Sequence, residues 1–181
     1  AVFTAHVAGS ANIRATSGVL PTTSSGTITV TPGAATTVRV ETAANGSGTV
    51  VPAQSLASGS SITVFAITRD ASNNFVANVV ATTWVLENIT GGVVAGDLVP
   101  AIDGRSAVPT GHVIGTADIK ATSGALATTP SGTITVSPGP LATFAVEAAG
   151  GGPIGEQRRG TPFNIRVTAK DASNNTVTSF N

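Results

Sequence analysis

Short runs of Val, Ile and Thr, separated by clusters of Gly, Pro, Asn and Ser, follow one another along the whole chain, and no stretch holds a helical apolar period. This is the pattern of an all-β sandwich. Its clearest strand has Phe163, Ile165, Val167 and Ala169 alternating with Asn164, Arg166 and Thr168. Successive strand side chains point to opposite faces, so the apolar set faces a core and the polar set faces water. A related segment ends at Asp70, and the same register puts Ile62, Val64 and Ala66 inside. Phe65 and Ile67 then fall on the outer face, where the other segment has Arg166 and Thr168. Two large apolar side chains pointing outward are a candidate interface with a neighbouring domain or chain, unless a loop of their own domain covers them.

The same parity predicts Val38 and Val40 inward on an early strand, and Val80, Thr82, Trp84 and Leu86 inward on a later one. Ala117, Ile119, Ala121, Ile134 and Val136 face inward near the end of the unit. Trp84 shares its face with Leu86, so it reads as a core anchor rather than a sugar-stacking platform. Turns are expected at Asp70 and Asp171, whose carboxylates can accept backbone N–H groups ahead of a left-handed Asn-Asn, and at Asp103-Gly104 and Gly115-Thr116.

An internal repeat organises these strands. AVFTAHVAGSANIRATSGVLPTTSSGTITVTPG, residues Ala1 to Gly33, returns as AVPTGHVIGTADIKATSGALATTPSGTITVSPG, residues Ala107 to Gly139, roughly two-thirds identical at a period of about 106 residues. Arg69-Asp-Ala-Ser-Asn-Asn74 returns as Lys170-Asp-Ala-Ser-Asn-Asn175 at a slightly shorter spacing. The layout expected from both matches is a C-terminal half-repeat at 1–33, a complete domain at 34–139 and an N-terminal half-repeat at 140–181. Thr31-Pro-Gly33 and Ser137-Pro-Gly-Pro140 join them as short, stiff links, so the expected object is a rod.

Composition narrows the function. Charged residues make up 10% of the 181 residues, and nine basic and nine acidic residues cancel. A surface so poor in charge has no electrostatic footprint for nucleic acid, and none is expected as a partner. Cysteine is absent, which removes disulfides and thiolate chemistry. No apolar run approaches the length of a membrane-spanning helix, so no membrane insertion is expected, and the first residues do not read as a signal peptide.

The segments VTAKDASNNTV (Val167 to Val177), AITRDASNNFV (Ala66 to Val76), ATTWVLENITGG (Ala81 to Gly92) and GTADIKATSG through SGTITVSPG (Gly115 to Gly139) resemble bacterial immunoglobulin-like tandem repeats of surface and secreted proteins, the invasin-like and adhesin type. The resemblance implies immunoglobulin-like β-sandwiches in series, and it carries no catalytic residues to transfer. Pro109 departs from it, standing where the first copy has Phe3.

Sites with chemistry are few. His6 and His112 share one repeat position and read as outward residues on a strand, without ligand partners at suitable spacing. Asp97 and Asp103 bracket a polar loop too sparse in oxygen ligands for a calcium site. Lys120 and Lys170 alternate outward, against the buried lysine that an isopeptide crosslink needs. Asn45, Asn88 and Asn174 begin glycosylation tripeptides, which matter only where the source glycosylates. No serine-nucleophile elbow or phosphate loop occurs, so neither enzyme activity nor a cofactor or metal is expected.

These readings favour a structural building block of an extracellular or cell-surface fibre or stalk, self-assembling through neighbouring domains. An adhesin segment binding a host or neighbouring-cell ligand through Phe65, Ile67 and the divergent loop Asn45 to Leu56 is the alternative. An accessory module of a secreted polysaccharide-active enzyme is a third. The half domains at 1–30 and 141–181 are expected to be completed by further repeats of a longer chain, rather than by another copy.

Overall fold

The computed structural model describes residues 1–179; the last two residues of the expected N-terminal half-repeat at 140–181 lie outside the described residues. Fourteen strands follow in chain order: β1 (Gly9–Ala11), β2 (Ile28–Val30), β3 (Ala35–Glu41), β4 (Gln54–Ala57), β5 (Val64–Asp70), β6 (Phe75–Asn78), β7 (Thr83–Gly91), β8 (Leu98–Pro100), β9 (Ser106–Pro109), β10 (Gly115–Thr122), β11 (Ala127–Thr129), β12 (Ile134–Ser137), β13 (Leu141–Ala148) and β14 (Ile165–Asp171). One 3-10 turn, Ala95–Asp97, precedes β8. No α-helix occurs among the described residues, as the missing 3.6-residue period requires.

Strands β3 to β12 build a sandwich. One sheet has the order β4-β12-β10-β7 and the other β11-β3-β5-β9-β8, with β6 also on β5. Val38, Val40, Val64, Ala66 and Ala107 from the second sheet meet Leu56, Ile119, Ala121 and Ile134 from the first. All are buried, and each large side chain removed from water contributes about 1.5–3 kcal/mol before entropy is subtracted. The outer face of the first sheet is tied by hydroxyls: Thr83 bonds Thr122 and Thr90 bonds Thr116, each at 2.7 Å. Cross-strand threonine pairs stand there beside the Lys120–Glu87 ion pair of the same two strands.

Trp84 takes the inward position expected of it. It is half-buried against the core, and its indole N–H donates to the Gly104 carbonyl at 3.0 Å. Val80 and Thr82 do not share its face. Both are exposed, and Val79 and Ala81 point inward instead. The reason is a change of sheet: β6 pairs with β5 in one layer and β7 with β10 in the other, so the chain crosses between layers over 79–82 and the two-residue alternation restarts. Gly115-Thr116 is also not a reversal. Both residues lie in β10, where a Cβ on Gly115 would come within 2.2 Å of the Thr90 carbonyl oxygen, so the glycine permits close approach of β7 and β10.

The flanking segments reproduce pairings of the sandwich. Gly9↔Val30 and Ala11↔Ile28 in β1–β2 match Gly115↔Val136 and Ala117↔Ile134 in β10–β12. Val146↔Val167 and Glu147↔Arg166 in β13–β14 match Val40↔Ala66 and Glu41↔Phe65 in β3–β5. The apolar faces of these pairs lack the second layer that covers their counterparts, so Val146, Ile165 and Val167 are about half exposed. Counterparts of β7 and β8 occur in neither flanking segment, so 1–33 and 140–179 together do not make up one whole sandwich.

Candidate functional site

Two similar clusters of polar bonds lie at the joints between repeats. At the first, the chain leaves β5 through Asp70-Ala-Ser-Asn-Asn74. Asp70 N–H donates to the Asn74 carbonyl at 3.1 Å and Asn73 N–H to the Asp70 carbonyl at 3.0 Å, with Asn73 left-handed at φ 68. Asparagine tolerates that conformation better than most residues. Four N–H groups converge on the Asp70 carboxylate: those of Ser72 and Asn74 on Oδ1 at 2.9 and 2.8 Å, and Gly33 N–H and the Asn74 side-chain amide on Oδ2 at 2.8 and 2.9 Å. Gly33 belongs to the linker, so the turn holds the chain that leads into its own domain.

Asn74 reaches further. Its Oδ1 accepts from Ala8 N–H at 2.8 Å, and its amide donates to the His6 carbonyl at 2.9 Å. Both partners are backbone groups of the preceding repeat.

The second joint has the same construction. Asp171 accepts from Ser173 N–H (2.9 Å), Asn175 N–H (2.8 Å), linker Gly139 N–H (2.8 Å) and the Asn175 amide (2.8 Å). Asn175 accepts from Ile114 N–H at 3.1 Å and donates to the His112 carbonyl at 2.7 Å. Ser58 adds its hydroxyl to that carbonyl at 2.7 Å and meets the Ser173 hydroxyl at 2.9 Å. Asp171 and Asn175 are buried here.

Both carboxylates are held well below the usual range, at about 2. For Asp70 the Asn74 side-chain amide does most, followed by Gly33 N–H. For Asp171 burial is the largest single influence and opposes ionisation, but the bonds from Gly139, Asn175 and Ser173 together outweigh it. A carboxylate surrounded by N–H donors is stabilised in its charged form. Its oxygens carry these donors, so each carboxylate holds the turn and the linker backbone together.

His112 does not sit on a strand; it lies in the irregular stretch between β9 and β10, and so does not follow strand parity. Its ring is about half exposed, as expected, yet Nδ1 lies 2.7 Å from Oδ1 of Asp97. Asp97 is buried, and its Oδ2 accepts from Val94 N–H at 2.9 Å. The histidine therefore has a carboxylate partner that sequence spacing did not reveal. Asp97 anchors the ring of the residue whose carbonyl Asn175 binds. His6 is exposed. Asp103 serves its turn, accepting from Arg105 N–H at 3.0 Å. Lys120 pairs with Glu87 at 3.1 Å, and Lys170 donates to the Asn174 carbonyl and the Thr176 hydroxyl. Asn45 bonds Ser47, and the Asn88 amide donates to Asp118. Among the described residues no three His, Cys, Asp or Glu side chains gather in one place.

The expected interface at Phe65 and Ile67 requires correction. Ile67 lies on the outer face, opposite Arg39 and Asn78, but it is completely buried, and Phe65 is half-buried. The cover comes from the same domain. Arg69 forms a bidentate pair with Glu41 at 2.7 Å on each arm and donates to the Gly46 and Gly48 carbonyls, which holds loop 42–50 back over the sheet. The bond to Glu41 raises the Arg69 pKa further above its ordinary value. Ile67 therefore has no surface to offer a partner.

Sequence reasoning placed Asp70 and Asp171 in turns but missed Asn74 and Asn175 as contacts between repeats. The available signal was that the five-residue turn returned unchanged, even at positions where a turn alone would accept other residues.

No protein-family model matches the chain, and no curated protein does. Among solved structures it is similar to domains 4–9 of the surface layer protein SbsC, with 20% identity and a TM-score of 0.35 over 94% of this chain and 25% of that one. The chain thus spans about a quarter of the length of that structure.

Proposed function

We propose that this chain is a stretch of a structural array of immunoglobulin-like repeats, working at the cell surface or outside the cell as a fibre or stalk rather than as an enzyme. The domain division is the one at 34–139, with 1–33 and 140–181 belonging to neighbouring repeats of the same kind. One observation carries this reading: two successive joints are built from the same residues making the same bonds, so the repeat contains the means of its own continuation. Low charge and hydroxyl-rich outer faces suit side-by-side packing of such units.

The adhesin alternative loses its best contact with the burial of Ile67.

Protease shaving of intact source cells, followed by electron microscopy of the native assembly, tests the proposal. The expected result is release of fragments of this chain from cells whose surface carries filaments or a layer containing it. Recovery of the protein solely from the cell interior, or as a free monomer with no assembly, would overturn it.

A further inference from the structure

We infer that the Asp-Ala-Ser-Asn-Asn turn is an orientation lock between repeats, an interaction surface whose partner is the backbone of the loop preceding the late strands of the repeat before it. The inference concerns how repeats meet and does not depend on where the protein works.

Three features of the joints support it. The first is what Asn74 and Asn175 bind. Each spans a carbonyl and the N–H two residues further on: His6 and Ala8 at one joint, His112 and Ile114 at the other. An amide that accepts and donates at once fixes both position and direction, because a shift along the loop or a reversal of it breaks both bonds. The side chains at the second contact differ, alanine against isoleucine, and the bonds are the same, so the lock reads the path of the chain rather than its sequence.

The second feature is the coupling to the linker. The carboxylate that holds the asparagine amide also holds Gly33 or Gly139 N–H. Linker, turn and preceding loop are thereby tied through one group, which removes the swivel a short linker would otherwise keep. The third is steric. A Cβ on Gly139 would lie 2.6 Å from the Ser58 carbonyl oxygen, so linker and preceding sandwich are in contact with no room between them. Each joint adds a fixed angle, and successive repeats turn as one body.

Backbone 15N relaxation and hydrogen exchange on the full chain test this. In the unaltered protein, residues 141–171 and the sandwich share one tumbling time, and the Ile114 and Gly139 amides are protected. Asn175→Ala should raise exchange at Ile114 by about tenfold or more and separate the two tumbling times, with the β10 amides still protected. Gly139→Ala should do the same from the linker, without touching either strand pair, so collapse of the small β13–β14 ribbon cannot imitate the result. Ile114→Ala, which restores the residue type of the first joint, should leave both readouts unchanged. Common tumbling in Gly139→Ala, or a joint loosened as much by Ile114→Ala as by Asn175→Ala, would overturn the inference.

Discussion

The outer face of the central sandwich and the same face of the C-terminal ribbon start from matching strands and end differently. In the ribbon, Glu147 meets Arg166 across the strands at 2.5 Å in the open, and the arginine holds the Glu147 carboxyl below its ordinary range. In the sandwich, Glu41 occupies the position of Glu147, but Phe65 stands opposite it, and the pairing arginine is Arg69, two steps of the alternation further along β5. Phe65, Ile67 and Phe75 replace Arg166, Thr168 and Thr176 together. Phe75 lies against the loop that Arg69 holds, where Gly46 sits so tightly on the Phe75 ring that a Cβ there would come within 2.3 Å of it. An outward apolar residue is thus no measure of an interface until its own loops are accounted for.

Removing the arginine should break this contrast most strongly. Arg69→Ala leaves Glu41 buried without a partner, which costs about 3–5 kcal/mol and releases loop 42–50. Urea denaturation followed by Trp84 fluorescence should show the loss, and a drop of under about 1 kcal/mol would mean that the loop does not depend on the pair. Arg166→Ala in the ribbon, where the pair is exposed, should leave the sandwich transition where it was.

Exchanging residues between the copies should have a smaller effect. Ile67→Thr brings the ribbon's residue into a site with no access to water and should cost about 2 kcal/mol in the same assay. Thr168→Ile makes the reverse exchange and should not stabilise the chain, because that position lines an open polar groove with Glu147, Arg166 and Lys170. Instead it should increase self-association, measured by sedimentation. A stabilising Thr168→Ile would show that coverage is not what separates the two faces.

The joints, which the copies share, should respond least and alike. Folded Asp70 and Asp171 have pKa values of about 2, below the unfolded range near 4, so their contribution is fully present above about pH 4 and is lost as the pH falls toward 2. Protection of the Ala8 and Ile114 amides should therefore stay flat from neutral pH to about 4 and fall at both joints below it. Loss of protection at one joint near neutral pH would mean that the two are not equivalent.

Much of the fold was legible because alternation and repetition are local. Val38, Val40, Val64, Ala66, Ile119 and Ile134 lie where two-residue parity places them, and comparing the copies identified the turn at Asp70 before its partners were known. Parity broke down at Val80 and Thr82, since a change of sheet leaves no mark in the alternation itself. His112 had no visible partner because Asp97 reaches it through folding rather than through spacing.

The sequence by itself determined the all-β class, the repeat, the inward faces and the turn-forming residues, because each depends on neighbours a few positions apart or on a direct match between copies. What covers an outward face, and what a turn holds besides itself, were decided by the tertiary structure alone. Ile67 is completely buried on the face that alternation turns outward, and Asn74 and Asn175 bind residues more than sixty positions away. Alternation tells which way a side chain points; only the folded chain determines what stands there to meet it.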